Sequence, residues 1–514
     1  MRKPTHPARS RRLAAGAAVA AAALLAAGCG SGGSGGSSAA AKAGGTLVLG
    51  ITADPTQMVP WTSTSEQSVQ VLSQIYSTLL NTNAADEPVA GLAALPAVSD
   101  GGNTYTFTLR KGLKFADGSA LTSADVKYTF GKIMDPASDA TSASYFASVA
   151  SVDAPSPQTV VVHMKHPDAS FPSGLTGVNT AIVPSDVPVA SLTAKPDGSG
   201  PYQFVSRTPN ESITLKRNPD YYGGRPVLDS ILFSAIADEQ ARVNALLAGQ
   251  VDLVSQTNLD YATIKEVQAT STVTTATVKN ASIYVLPMLC TQSPFTDVRV
   301  RQAFKLAYQP KYVMDLAVHG LGTVANNNPV TPDDPNYLDY VIQPDPDKAK
   351  SLLAAAGFSG PQTLYTSDYD PVLTPLAEAY QSSASGAGLN VKIQNAPADS
   401  YFTSVWIKKP FCVSYWYTGR PVDQLLNQIY RMGSGYDESL WSNSQFNGLL
   451  DSARRTVDPA KRKTLYQDAQ KLMISDDGTI IPFFADRTTG LSKQVLNYSE
   501  YGFEFDYLHL GFKG

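Results

Sequence analysis

Trp416, Tyr417, Arg420 and Asp423 stand close together in the run Phe411 to Gln424. Their types suit recognition of a charged guest. A planar guanidinium pairs with a carboxylate through parallel N–H groups, while neighbouring rings stack on the ligand. The run opens with β-branched and aromatic residues, the composition of a buried strand. It closes on Thr418-Gly419-Arg420-Pro421, a turn by composition. A strand therefore delivers rings and Arg420 to a loop at its C-terminal end, where open α/β sheets bind ligands. The alternative is an ordinary core strand whose Arg420 makes a surface ion pair.

Other chemistry is sparse. There is no P-loop, no G-x-G-x-x-G after a strand, no C-x-x-C and no H-E-x-x-H. Gly32-Gly33-Ser34-Gly35-Gly36 matches a hydrolase pattern, but neither strand nor helix flanks it. His163 and His166 lack a third ligand nearby, so neither a metal nor a cofactor is expected. Asp476-Asp477 and Asp333-Asp334 read as solvated loop carboxylates.

The chain has 514 residues, enough for two or three domains. Its 25 tyrosines outnumber its 18 phenylalanines, which suits surfaces that both stack and hydrogen-bond. Net charge is -4, and falls to about -9 once Arg2, Lys3, Arg9, Arg11 and Arg12 are set aside with the leader. A nucleic-acid partner would want the opposite sign.

Those basic residues precede an alanine-rich run, Leu13 to Ala27, too short to span a bilayer and typical of a signal peptide. It ends in Leu25-Ala26-Ala27-Gly28-Cys29, which resembles a lipobox with Ala26 in the slot that leucine usually holds. Residues 1–28 are thus expected to be removed and Cys29 lipidated, which would anchor the protein on the outer face of the cell membrane. Residues 29–43 form a Gly/Ser tether. Cys290 and Cys412 remain, and in an exported chain they could form one disulfide or stay as buried thiols.

The elements that must position the Trp416–Arg420 group follow from periodicity. Leu47, Leu49 and Ile51 alternate as a first strand, and Val71, Leu72, Ile75 and Leu79 mark a helix between Ser68 and Leu80. Thr122 with Asp125 reads as a helix start. Ile283 to Leu289 is an apolar strand. Asp297 caps a helix bearing Val300, Ala303 and Phe304, and Ile480 to Phe484 is a final strand. Helices alternate with strands through the second half, which argues α/β.

Five blocks in order then resemble one family. They are Tyr105–Gly118 with Leu121–Thr129, Gly198–Tyr202 with Arg217–Tyr221, Ala245–Asp252, Pro294–Ala303, and Trp416–Asp423 with Trp441 behind it. The chain resembles the family 5 extracellular solute-binding proteins of ABC importers, the peptide- and nickel-binding type. The resemblance implies a two-lobed periplasmic-binding-protein fold, type II-like, with an extra subdomain in the first lobe. The first lobe would comprise residues 44–76, 198–282 and 484–514, the subdomain 77–197, and the second lobe 283–483. It implies a peptide or small-molecule ligand buried between the lobes, delivery to permease and ATPase subunits, and a monomer. Peptide-binding members place an aspartate after the aromatic strand, to pair with the ligand's amine. Here Gly419 and Arg420 hold those slots and the nearest acid is Asp423. The resemblance therefore implies an anionic group on Arg420, with Asp423 orienting Arg420 or meeting an amine. Asp54 and Met58 would face the cleft from the first lobe, Asp368 and Tyr369 from the second. The alternatives are a secreted peptidase or glycosidase, or a ligand-sensing domain.

Overall fold

The computed structural model describes residues 41–514 apart from 56, 64, 84–85, 255–258 and 502–503. The leader, Cys29 and the tether as far as residue 40 lie outside the described residues. The last part of the expected tether is already tied down, since Lys42 donates its N–H to Phe512 at 2.7 Å. Strand β1 (Thr46–Ile51) buries Leu47, Leu49 and Ile51. Helix α1 (Glu66–Ile75) starts where the Ser65 hydroxyl accepts the Ser68 N–H, and buries Val71, Leu72 and Ile75. It stops five residues short of the expected Leu80, because Gly198 and Gly200 press against its last carbonyls. A Cβ on either glycine would collide with the carbonyl oxygen of Ile75 or Gln74. The Gly198–Tyr202 block is thus a packing device, since only glycine permits that approach.

Next comes a four-stranded antiparallel sheet of β2 (Ala97–Ser99), β3 (Thr104–Thr108), β4 (Val149–Ser156) and β5 (Thr159–Met164), in the order β2-β3-β5-β4. Helix α2 (Ser123–Met134) covers it, opened by the expected Thr122–Asp125 capping box. The chain then returns through β6 (Tyr202–Thr208), β7 (Ser212–Arg217), β8 (Ser230–Ala235) and β9 (Leu253–Val254). Strand β1 lies parallel between β8 and β9.

Strand β10 (Val273–Pro287) is longer than the apolar run Ile283 to Leu289 announces. It crosses into the second lobe, which adds α3 (Val298–Leu306), β11 (Gly322–Val324), β12 (Gln362–Ser367), β13 (Val391–Ala396), β14 (Ser414–Tyr417), α4 (Ser444–Arg455) and α5 (Pro459–Asp476). Strand β15 (Thr479–Ser492) returns to the first lobe, paired with β10 from Pro287↔Thr479 to Val273↔Ser492. The main sheet runs β14-β10-β15-β9-β1-β8-β7-β6, with β11 on β15. Alternate residues of β10 enter two cores. Tyr284 and Leu286 pack with Phe483 and Ile480, whereas Ile283 and Val285 pack with Phe484 and Ile481. Both faces of the second-lobe sheet are therefore covered, as period-two alternation requires.

The Pro294–Ala303 block closes the end of α5. Arg301 donates to the Asp476 carbonyl and carboxylate, and buried Lys305 to the carbonyls of Met473 and Ile474. Cations suit the negative end of a helix dipole. Burial pushes the Lys305 ammonium down to about 8. Asp476 and Asp477 are not solvated loop carboxylates. Asp477 is 1% exposed and accepts from the Ser439 hydroxyl and the N–H groups of Gly478 and Thr479. Asp334 likewise accepts from the N–H and side-chain amide of Asn336. The two cysteines do not form the disulfide considered above. Both are free thiols in separate apolar clusters, Cys290 beside Trp441 and Cys412 beside Tyr401. Among the described residues no helix is long and apolar enough to cross a membrane, and no acidic, His or Cys group could hold a metal.

Candidate functional site

Strand β14 is the terminal strand of the main sheet. Its inner edge pairs with β10, setting Trp416 opposite Ile283 and Tyr417 opposite Ser282. The residues just before it are covered, because Tyr365 of β12 exchanges bonds with Phe411 and Val413. From Ser414 onward the outer edge has no strand partner among the described residues.

The chain leaves the strand through a tight turn. Thr418 donates its N–H to Ala281 and its hydroxyl to Asn280, and Gly419 sits at φ +76. That left-handed geometry favours glycine. It folds Arg420 back over the strand, with its guanidinium 5.7 Å from the centre of the Trp416 ring. One nitrogen donates to Gln428 at 2.8 Å. No carboxylate among the described residues lies within ion-pair reach of Arg420. Burial pulls its pKa down, against the opposing pull of the Tyr145 and Tyr436 hydroxyls. A guanidinium held on a ring, short of a counter-charge, is equipped to bind an anion.

The Trp416 ring is itself held. Its N–H donates at 2.6 Å to one oxygen of Glu438, and the Trp406 N–H donates to the other. Glu438 is 3% exposed. Burial raises its pKa, and the donors of Trp416, Ser414 and Trp406 draw it back. Tyr436 packs edge-on against Trp416, with ring centres 5.9 Å apart. On the neighbouring positions Tyr415 meets Tyr284, Tyr369 and Tyr417, and Tyr369 meets Tyr401 and Phe402. Burial pushes the Tyr417 hydroxyl up, with the Glu66 carboxylate adding to it. Asp370 accepts from the Tyr284 hydroxyl and the Val372 N–H, and burial pushes it up to about 6.

The first lobe meets this group directly. The Gln424 amide donates to the Tyr145 hydroxyl, and the Ala169 N–H to the Arg454 carbonyl at 2.6 Å. Within the first lobe, Arg487 of β15 lies 4.0 Å from Glu66 of α1. Two small cavities lie along the seam. Tyr145, Asp168, Phe171, Asp423, Gln424 and Arg454 line one. Asp86, Thr331, Asp334, Thr418, Gly419 and Arg420 line the other. Burial pushes Asp86 up to about 6, with Asp334 adding repulsion.

Of the residues singled out from sequence, Trp416, Tyr417, Gly419, Arg420 and Tyr369 share one ring-lined neighbourhood. Asp423 neither orients Arg420 nor offers itself to an amine. Its carboxylate is filled by Arg454, the Tyr466 hydroxyl and Asn427. Asp54 is likewise spent, on a two-pronged bond to Arg207 and the Asn210 N–H. Met58 is 1% exposed in the first-lobe core. Asp368 is exposed but ties Thr374 to Asn395. Sequence reading missed Gln424, Gln428, Glu438, Tyr145 and Asp86. For the two glutamines a signal existed. Val422, Leu425, Leu426 and Ile429 carry helical spacing, which sends positions 424 and 428 to the opposite face. Nothing local marks the other three.

Comparison with known proteins places this geometry. A family model described as bacterial extracellular solute-binding proteins, family 5 Middle, matches residues 87–439. Protein XP55 of Streptomyces lividans is 28% identical, with 88% of this chain and 87% of that protein covered. The glutathione-binding protein GsiB of Escherichia coli K12 is 26% identical, with 90% and 94% covered. Among solved structures, the ABC transporter substrate-binding protein CtaP of Listeria monocytogenes superposes with a TM-score of 0.83 at 22% identity, covering 92% of this chain and all (100%) of that one. The binding protein AgaA of A. tumefaciens R10, in complex with agropinic acid, gives 0.75 at 25% identity, covering 91% and 99%. The oligopeptide-binding protein AppA of Bacillus subtilis, in complex with a nonapeptide, gives 0.75 at 23%, covering 92% and 100%.

Proposed function

The chain belongs to the bacterial extracellular solute-binding proteins of family 5, and from that premise we propose that it captures a peptide or a peptide-like, small anionic solute between its lobes for an ABC importer. The observation that carries the reading is Arg420, stacked on Trp416 and, among the described residues, hydrogen-bonded to Gln428 alone. A ligand carboxylate completes it, and the unpaired edge of β14 suits a ligand with main-chain amides. Oligopeptides, glutathione and agropinic acid, named for the relatives above, all bear carboxylates. Trp416, Tyr417, Gly419 and Tyr369 form the surrounding wall.

The ligand works by population shift, because it touches both lobes and so favours the closed arrangement. Residues 44–76, 198–282 and 484–514 move as one body with the subdomain 77–197, and 283–483 as the other. Strands β10 and β15 are the connection between them. Lipidation at Cys29 keeps this monomeric receptor on the outer face of the membrane, and it hands its cargo to a permease with ATPase subunits. Recognition is the task, and the ligand leaves unaltered.

Native mass spectrometry of protein purified without refolding identifies retained cargo, since closed lobes hold it through purification. Calorimetry with that compound then compares wild type with Arg420→Ala. Unchanged affinity in the variant, or chemical conversion of the compound, overturns the reading.

A further inference from the structure

We propose that Glu438 is a positioning residue whose ionised carboxylate holds Trp406 and Trp416 by their indole N–H groups, and so fixes the ring on which Arg420 is stacked. Each carboxylate oxygen accepts one indole. The ionised form accepts from both indoles and from the Ser414 hydroxyl, so that every polar group around it is satisfied with no carboxyl proton to place. The two tryptophans come from different segments. Trp416 lies on β14, and Trp406 follows the short helical turn Tyr401–Ser404. One carboxylate therefore locks a loop to the strand that carries the site. The same charge stands at the N–H edge of the ring whose face meets Arg420, an arrangement that favours a cation on that face. Tyr436 closes the array, with its ring 6.4 Å from Trp406 and 5.9 Å from Trp416. Glu438 touches no ligand in this scheme. It acts through Trp416, and the inference rests on the reading of Arg420 as the anchor.

The test needs no ligand. Indole ¹H–¹⁵N resonances of the full chain are assigned by Trp→Phe substitutions at 61, 406, 416 and 441. Among the described residues, the other ionisable groups that face Glu438 are Asp477, Tyr369, Cys412 and Tyr430, of which Asp477 is the one carboxylate. In wild type the Trp406 and Trp416 resonances are expected downfield, and to move with pH at one common midpoint. Glu438→Gln presents an NH₂ group to one indole, so at least one of the two resonances loses its downfield shift and both lose the common titration. Adding Trp406→Phe removes the second donor, and the Trp416 resonance is expected to return towards its wild-type position. The Arg420 side-chain ¹⁵N resonance should move in Glu438→Gln and recover in the double variant. Resonances of Trp406, Trp416 and Arg420 that stay put in Glu438→Gln overturn the proposal. If that variant does not fold, different titration midpoints for the two wild-type indoles overturn it instead. Arg420→Ala removes the cation from the Trp416 face and moves that resonance, but leaves the two indoles sharing one titration midpoint, so failure of the anchor reading is seen separately, in ligand capture.

Discussion

The carboxylate of Asp423 lies 2.8 Å from the guanidinium of Arg454, three residues on from Arg420 and turned away from it. Asp423 and Arg420 look like partners in the sequence, yet the helical turn that starts at Val422 points them to different neighbours. Asp423→Asn leaves Arg454 and Tyr466 facing a neutral amide. Removing one member of such a pair costs about 3 kcal/mol, towards the low end because the Arg454 side chain keeps 31% of its surface exposed. Chemical denaturation should show that loss, while affinity for retained cargo changes little. A variant with wild-type stability and lost affinity would return Asp423 to the binding site.

Arg420→Ala should do the reverse. Loss of a charge-assisted pair with a ligand carboxylate is expected to weaken binding by roughly tenfold to a hundredfold, with little change in melting temperature. Arg420→Lys should restore only part of it, since an ammonium lacks the planar fork and stacks less well on Trp416. Calorimetry with cargo identified by mass spectrometry checks both. Full restoration by lysine would mean that charge alone, without the stack, is recognised.

Much of the scaffold was legible because it depends on short-range signals. The Thr122–Asp125 capping box, the Asp297 cap, the alternation of β1 and the turn at Gly419 each follow from a few neighbouring residues. Long-range pairing was not. Asp54 looked available until Arg207 was found on it, 153 positions away, and Asp477 looked solvated until Ser439 closed over it. Helix α5 buries Tyr466, Ala469, Gln470, Met473 and Ile474, a face that includes a glutamine because Gln470 is drawn inward by Asn328. Polar groups buried by distant partners break the periodicity on which sequence reading relies.

The Asp437–Asp477 pair sets a pH dependence of stability. Burial, and then the Asp477 charge, pushes Asp437 up to about 8. The folded chain therefore holds a proton that the unfolded chain releases near the ordinary carboxylate value of about 4. The stability this supplies is fully present below about pH 4 and is lost as pH rises through about 8. Asp437→Asn should flatten that decline in denaturation curves taken across the window. An equal slope in wild type and variant would show that another group carries the proton.

At the seam, Asp86 and Asp334 make closure itself sensitive to acid. Asp86 lies in the turn between Leu80–Thr82 and Pro88–Ala90, and lines a cavity with Asp334 and Arg420. Burial, then Asp334, pushes it up to about 6, while Glu87 and Lys463 act on Asp334 in opposite senses. The closed arrangement keeps a proton that an open cleft would release, so acid favours closure and the gain disappears as pH rises through about 6. Small-angle scattering of cargo-free protein should show a smaller radius of gyration at about pH 5 than at about pH 7.5, and Asp334→Asn should shrink the difference. Identical profiles at both values would sink the idea.

Gln424 and Tyr145 are the side chains that join the lobes across the other cavity, beside the Ala169–Arg454 main-chain bond. Tyr145 also acts on the charge of Arg420, but Gln424 does the latching without meeting a ligand charge. Gln424→Leu shortens the side chain by one atom and removes the donor, leaving the Tyr145 hydroxyl without this bond in the closed arrangement alone. The open arrangement returns that hydroxyl to water, so the cost falls on closure and not on folding. A net hydrogen bond is worth about 1 kcal/mol, which corresponds to roughly fivefold weaker capture. The change should appear mainly as faster release, measured by stopped-flow competition with unlabelled cargo, because the latch forms after the ligand has entered. Tyr145→Phe in the Gln424→Leu background should add almost nothing, as the two groups share one bond. Additive losses would mean that Tyr145 meets the ligand itself, and that the cavity beside Gln424 belongs to the binding site rather than to the latch.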